Sequence, residues 1–313
     1  MESLTSALQT ASSESVREAL RARAELLHKA GIDSARLDVE VLLRHVLGVK
    51  TAELYLDFDL VLNAAAEREF KKLLLRRAGR EPVAYITSHR EFWSLDFVVT
   101  PEVLIPRPET ELLVERALKL ATRLPGMSAL NILDLGTGSG AIAVSLAKEF
   151  PQARISAVDI SAVAIEIACL NARRHGVEDR VEFFCGDLFE PVTEEREGYD
   201  LIVANPPYIR NGDLAGLAPE IREWEPIMAL DGGADGLFYY RRIVAAAGDY
   251  LRAGGSILLE LGDAMGEAVA RLFADAGGFE PAQVYRDYAG KERVIAAAKL
   301  LPAVNTREGP DRG

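Results

Sequence analysis

Apolar residues recur at helical spacing from about Ser12 to Gly79 and then give way to short, unbroken apolar runs. Val16, Leu20, Leu26 and Leu27 fall on one helix over residues 15–30, which Gly31 stops. Asp33 or Ser34 caps a second helix that carries Leu37, Val41, Leu42 and Leu47 and ends at Gly48. Thr51 begins a short helix, and Asn63 caps another that runs through Phe70, Leu73 and Leu74 to Gly79. The pattern then changes period. Phe92, Trp93, Leu95, Phe97 and Val99 predict a hairpin, and Pro101, Pro106 and Pro108 punctuate the chain after it. Glu109-Thr110-Glu111 opens a helix whose apolar face includes Leu112, Leu113 and Leu118. From there apolar strands over residues 131–135, 154–158, 181–185, 201–204 and 256–261 alternate with helical stretches. Residues 283–285 and 294–296 close the sheet as an antiparallel pair. The expected fold class is α/β: a Rossmann-like domain preceded by a small helical domain and a β-hairpin linker. The expected boundaries are 1–80 for the helical domain, 81–105 for the linker, 106–300 for the α/β domain and 301–313 for a disordered tail.

The most informative stretch is Asn205-Pro206-Pro207-Tyr208, directly after the apolar run Leu201-Ile202-Val203-Ala204. Each proline fixes φ and removes a backbone N–H, so the loop is stiff and sits where open α/β sheets bind ligands. It can aim the Asn205 side-chain oxygen and the Pro206 carbonyl at one point. Two converging acceptors match the two N–H bonds of an amide or an exocyclic amine, with Tyr208 stacking on the flat group that carries the nitrogen. The bland alternative is a Pro-rich turn that caps the strand.

A second signal lies upstream. Asn131-Ile132-Leu133-Asp134-Leu135 runs into Gly136-Thr137-Gly138-Ser139-Gly140 and then an apolar helical stretch. Strand, glycine turn and helix form the nucleotide-binding half of a doubly wound fold. The spacing is G-x-G-x-G rather than the G-x-G-x-x-G of dinucleotide enzymes, and Asp134 places negative charge where a pyrophosphate would sit. Both features favour a cationic cofactor such as S-adenosylmethionine over NAD. Asp159 ends the second strand, where a carboxylate accepts from two ribose hydroxyls or caps the next helix, a role also open to Ser161. Asp187 ends the third strand and is read as accepting from an adenine amino group, with Leu188 packing on the ring; an ordinary Gly-Asp turn is the alternative.

A formal net charge of -12 argues against a duplex-DNA binder. Lys71, Lys72, Arg76, Arg77 and Arg80 gather on one helix and read as a solvated face. Cys169 and Cys185, in apolar surroundings without metal-ligand spacing, read as core thiols of a reducing compartment. Neither a membrane span nor a signal peptide is apparent, so a cytoplasmic protein without a metal is expected.

Several further stretches carry a resemblance along nearly the whole chain. These are Pro82-Val83-Ala84-Tyr85-Ile86, Arg90-Glu91-Phe92-Trp93, Leu104-Ile105-Pro106-Arg107-Pro108-Glu109-Thr110-Glu111, and Arg286-Asp287-Tyr288 with Gly290 and Arg293. Together with the glycine loop and Asn205-Pro206-Pro207-Tyr208-Ile209, they resemble the release factor glutamine methyltransferases. Ser88 departs from the glycine usual there, which bears on the local backbone of the linker. The resemblance implies methyl transfer from S-adenosylmethionine to the glutamine of the Gly-Gly-Gln motif in bacterial class I peptide chain release factors. It also implies a helical domain that contacts the release factor, and a monomer with no membrane or nucleic-acid partner is expected. The Asn-Pro-Pro-Tyr motif is shared with adenine-N6 methyltransferases, so methylation of a nucleic acid stands as the alternative. A fold that binds without catalysis, or an NAD oxidoreductase, fits the intact motifs and glycine spacing less well.

Overall fold

The computed structural model describes residues 15–56, 61–122, 129–192 and 198–301. The first residues of the expected helical domain, 1–14, and the expected tail 301–313 beyond Leu301 lie outside the described residues. The chain divides into two compact units. One is formed by the chain up to His89 with Val99–Pro101 and Leu217–Glu225; the other by Arg90–Val98, Glu102–Gly216 and the chain from Pro226. The sequence boundaries ran consecutively, whereas a short late segment joins the helical unit.

The helical unit contains α1 (Val16–Lys29), α2 (Ala35–Leu47), α3 (Thr51–Leu56), α4 (Ala64–Ala78) and α5 (Val83–Thr87). Ser15 starts α1 with a reciprocal capping box to Glu18. Asn63 Oδ1 accepts from the Ala65 and Ala66 amides at the start of α4. Ser34 precedes α2 but makes no side-chain cap, its hydroxyl donating instead to Asp38. Leu27, Val39, Leu42, Leu43, Phe70 and Leu74 form the core. Leu37, expected on the apolar face of α2, is 62% exposed, because the buried stripe runs through Asp38, Val39, Leu42 and Leu43.

Asp38 turns inward because a cation meets it. Arg77 Nε donates to Asp38 Oδ2 at 2.6 Å and Arg77 Nη2 to Glu220 Oε1 at 3.0 Å. This corrects the solvated reading for Arg77, while Lys72 and Arg76 of the same cluster stay exposed. Arg77 is buried, Arg80 shares Glu220, Arg76 is held by Glu81, and Lys71 and Lys72 pair with Glu67 and Glu69. Removing one partner of such a buried pair strands the other charge, typically at a cost of about 3–5 kcal/mol.

The linker is also not a hairpin alone. It opens with α5, which ends at Ser88 with φ 60° and ψ 23°, a left-handed conformation that favours glycine. The hairpin follows as β1 (His89–Phe92) and β2 (Leu95–Val98). Its turn residues Trp93 and Ser94 also have positive φ, 53° and 57°. Trp93 is held there by its backbone N–H on Glu111 and its indole N–H on Glu149, at 2.9 and 2.7 Å.

In the α/β unit, α6 (Glu111–Ala121) precedes a sheet of seven strands. These are β3 (Asn131–Leu135), β4 (Arg154–Asp159), β5 (Val181–Cys185), β6 (Tyr199–Ala204), β7 (Leu251–Glu260), β8 (Gln283–Arg286) and β9 (Glu292–Ala298). The order is β5-β4-β3-β6-β7-β9-β8; the first five run parallel and β9 lies antiparallel to both neighbours. Helices α7 (Ala141–Glu149), α8 (Ala162–Arg174), α9 (Phe238–Tyr250) and α10 (Gly266–Ala276) complete the layers. The pleat assigns side chains to two cores. Ile132, Leu201 and Val203 meet α6 and α7, while Leu133, Leu135 and Ile202 meet α9 and α10.

Neither cysteine is a core thiol. Cys169 is half-buried and Cys185 exposed, because Cys185 ends β5 at the open edge of the sheet. Replacing Ser88 by glycine should relieve the left-handed strain, net of glycine's own entropy, by roughly 0.5–1 kcal/mol. Chemical denaturation of Ser88→Gly should show a higher midpoint; an unchanged or lower one would mean the strain is negligible.

Candidate active site

β3 and β6 are neighbours whose onward connections run to opposite sides, to β4 and to β7. A crevice therefore opens outside their carboxyl ends. The loop after β3 carries Gly136 to Gly140, and the loop after β6 carries Asn205 to Tyr208. Between them lies a cavity of about 370 Å³, within the usual size for a small-molecule site.

The glycine loop is held by its backbone. The Gly136 and Thr137 amides both donate to the Val158 carbonyl, at 2.8 and 2.9 Å. The Gly138 amide donates to Asp159 Oδ2 at 2.8 Å, and the Ser161 amide to Asp159 Oδ1 at 2.9 Å. Burial raises the Asp159 carboxyl above its ordinary value, opposed by these amide hydrogen bonds. The cap of α8 is supplied by Ser161, whose hydroxyl accepts from the Ala164 amide. Asp159 lines the cavity with a carboxylate that already accepts from the Gly138, Ser161 and Ile160 amides.

The loop residues divide sharply. Gly136 and Gly138 line the cavity; Asp134, Thr137, Ser139 and Gly140 stand behind it. Asp134 is fully buried, its Oδ2 accepting from the Thr137 hydroxyl at 2.6 Å, and burial pushes its carboxyl up to about 7. It braces the loop rather than projecting charge into the site, which corrects the electrostatic role expected for it. The Ser139 carbonyl accepts from Asn171 Nδ2 at 2.8 Å, and the same buried Asn171 exchanges hydrogen bonds with the Val98 backbone. A Cβ at Gly140 would stand 3.1 Å from Ala168 Cβ. Gly140 is therefore needed for the contact of the loop with α8.

Asp187 and Leu188 line the cavity beyond Asp159. The Asp187 carboxylate is already gripped by the Arg242 guanidinium, at 3.1 and 2.9 Å. Any amino group placed there shares the carboxylate with Arg242. Leu188 adopts φ 51°.

Asn205, Pro206 and Pro207 line the other side. The elbow is clamped by close backbone approach: a Cβ at Gly232 would lie 2.6 Å from Tyr208 Cα. The chain beyond it pairs through the Ile209 amide to the Leu230 carbonyl and the Gly232 amide to the Ile209 carbonyl, at 2.9 and 2.7 Å. Tyr208 itself is not among the cavity-lining residues. Its ring lies against Gly262, where a Cβ would come within 2.9 Å of Cδ2, and burial pushes its phenol up to about 12. Tyr208 is half-buried and its ring packs on Gly262 and the core there, outside the lining of this cavity.

Behind Asn205 stands a buried polar pair that sequence reasoning missed. Asn205 Nδ2 donates to Thr110 Oγ1 at 3.3 Å, and the Thr110 hydroxyl favours the ionised form of the Glu260 carboxyl. Glu260 is 2% exposed. The available signal was a carboxylate interrupting the apolar run Leu258-Leu259-Glu260-Leu261. Ile160, which lines the cavity though exposed, carried no pattern that could have flagged it.

The side chains lining the cavity state a preference. Among the described residues its ionisable members are Glu102, Asp159, Asp187 and Tyr239, none cationic, and its apolar ones include Leu135, Val158, Leu188 and Ile243. Acceptors set among apolar walls fit a cationic nucleoside carrying ribose hydroxyls. They do not fit a pyrophosphate, which calls for donors.

Comparison with known proteins agrees with this geometry. Residues 18–87 match the family described as PrmC N-terminal domain, and residues 110–218 that described as methyltransferase small domain. A release factor glutamine methyltransferase of Geobacter sulfurreducens is 48% identical over 269 residues, 86% of this chain and 91% of its own. One of Cereibacter sphaeroides is 44% identical over 288 residues, 91% of this chain and 98% of its own. Among solved structures, the hMettl16 catalytic domain in complex with the MAT2A 3'UTR hairpin 6 shares the fold. It matches with a TM-score of 0.55 at 17% identity, covering 72% of this chain and 84% of that one.

The division within the glycine loop is testable. Gly140→Ala should destabilise the unliganded protein by about 1–3 kcal/mol through overpacking against Ala168. Gly138→Ala, whose Cβ meets nothing within 4 Å, should be the milder in thermal unfolding yet weaken S-adenosylhomocysteine binding. The reverse ranking would refute the assignment.

Proposed function

Because the chain belongs to the release factor glutamine methyltransferase family, we propose that it methylates the side-chain amide nitrogen (N5) of a glutamine in a protein substrate. The substrate is the Gly-Gly-Gln motif of bacterial class I peptide chain release factors. The observation that carries the reading is the elbow: Asn205 and Pro206 stand at the edge of a cavity whose ionisable lining is acidic or phenolic.

S-adenosylmethionine, when bound, supplies a methyl group on an electrophilic sulfonium. Gly136 and Gly138 let a ligand approach the backbone, Asp159 accepts from ribose hydroxyls, and Asp187 and Leu188 bound the adenine end. On the substrate side, an amide nitrogen is a weak nucleophile because its lone pair is delocalised into the carbonyl. Asn205 Oδ1 and the Pro206 carbonyl accept its two hydrogens, fix its plane and leave the lone pair facing the methyl source, so orientation lowers much of the barrier. The same two oxygens stabilise the positive charge that develops on nitrogen as the bond forms. A glutamate would leave both acceptors unmatched, which gives specificity. The proton leaves to water after transfer, so no strong base is needed. The helical unit is assigned to holding the release factor, and the setting is the cytoplasm, where release factors act.

The direct test is mass spectrometry of a purified class I release factor incubated with the protein and S-adenosylmethionine. One added methyl on the Gly-Gly-Gln glutamine is expected; an unmodified glutamine sinks the proposal. Asn205→Ala should lower turnover by about 100-fold or more while S-adenosylhomocysteine affinity stays within a few-fold of wild type. Asp159→Ala should do the opposite and weaken cofactor binding first. Calorimetric titration separates the two, and an Asp159→Ala protein with unaltered affinity would remove Asp159 from the ribose site.

A further inference from the structure

Asn205 has two nearly isosteric ends, and only one of them accepts a hydrogen bond. Something must decide which end faces the substrate. Its Nδ2 lies 3.3 Å from Thr110 Oγ1, and the Thr110 hydroxyl favours the ionised form of the Glu260 carboxyl beside it. Thr110 and Glu260 are 5% and 2% exposed, so both are shielded from bulk solvent. Glu260 Oε2 has no hydrogen-bond partner among the described residues.

We propose that Thr110 and Glu260 are positioning residues that set the orientation of the Asn205 carboxamide. The logic is one of proton counting. An ionised carboxylate only accepts, so the single Thr110 hydrogen points to Glu260. The Thr110 oxygen then offers a lone pair toward Asn205, which Nδ2 fills. The Asn205 Oδ1 is thereby turned to the substrate side. With a partner at residue 260 that can donate, the hydroxyl is released, can donate to Oδ1, and the amide flips. The pair thus converts a buried charge into a fixed acceptor direction.

The surroundings are consistent with this use. Burial pushes the Glu260 carboxyl up to about 7, and Glu109 adds to the rise; the Thr110 hydrogen bond, Arg293 and Arg107 oppose it and favour the ionised form. Tyr208 and Tyr240, the remaining titratable groups that interact with Glu260, both have raised phenol values and stay neutral near pH 7. The acceptor-only state of Glu260 therefore grows as pH rises through neutrality, and correct Asn205 orientation grows with it.

The proposal rests on Asn205 being the amide acceptor, and the experiment separates the two. Turnover, S-adenosylhomocysteine affinity and thermal midpoint are measured for Asn205→Ala, Thr110→Val, Thr110→Ser and Glu260→Gln on a release factor substrate. Thr110→Val and Glu260→Gln should each lose about tenfold or more in kcat, the scale of one lost orienting hydrogen bond, with cofactor affinity within a few-fold. Thr110→Ser should recover most of the loss. The rise of wild-type kcat through neutral pH should be absent in Glu260→Gln. Wild-type kcat in Thr110→Val, a serine that rescues nothing, or a Glu260→Gln profile that keeps the rise would each overturn the proposal. If Asn205→Ala is inactive while Thr110→Val is not, only the positioning role fails; if Asn205→Ala is itself fully active, the acceptor reading fails with it.

Discussion

The site depends on the side-by-side pairing of β3 and β6 at the centre of the sheet. Leu135 pairs with Ala204 in parallel register, so both strands end at the same level. Their connections then leave in opposite directions. Backbone polar groups beyond the last ladder bonds have lost their strand partners and must find others. On one side the glycine loop folds its amides onto the Val158 carbonyl and Asp159. On the other the prolines remove two amides from the account, and the rest of the elbow is clamped by Gly232. The crevice is a consequence of satisfying two strand ends that cannot satisfy each other.

Around this crevice the protein buries carboxylates without matching each with a cation. Asp134 and Glu260 are both pushed up to about 7 by burial, and Asp159 is raised as well. Each is instead held by short-range donors: the Thr137 hydroxyl, the Thr110 hydroxyl, and the Gly138 and Ser161 amides. Such groups couple loop geometry to hydrogen-bond direction more than they contribute net charge. The helical unit solves the opposite problem. There Arg77 is the buried charge, and Asp38 and Glu220 neutralise it from segments far apart in the chain. That pairing ties a late segment of sequence to an early bundle.

Much of this was legible beforehand. Short apolar strands and glycine stops mark backbone conformations that any long-range arrangement must respect, so the α/β alternation, the antiparallel closing pair and the positions of both loops could be read directly. Burial by side-chain type was less legible. Cys185 is apolar in its neighbourhood along the chain yet exposed, because edge position is a property of the sheet. Leu37 and Arg77 exchange their expected places, because an ion pair across elements selects which stripe of a helix turns inward. Ser88 shows the same limit at the backbone level: the chain takes a left-handed turn there without the residue that favours it.

What the sequence alone determined was the local chemistry: which loops are stiff, which turns accept close approach, and which side chains carry acceptors. These follow from φ restriction, Cβ sterics and hydrogen-bonding type, all properties of a residue and its immediate neighbours. What only the tertiary structure decided was which of those groups face the same space. Asp134, adjacent in sequence to cavity residues, is buried behind them, while Thr110 and Glu260, from distant segments, meet behind Asn205. Direction in space depends on how strands register and layers close, and no local rule encodes it.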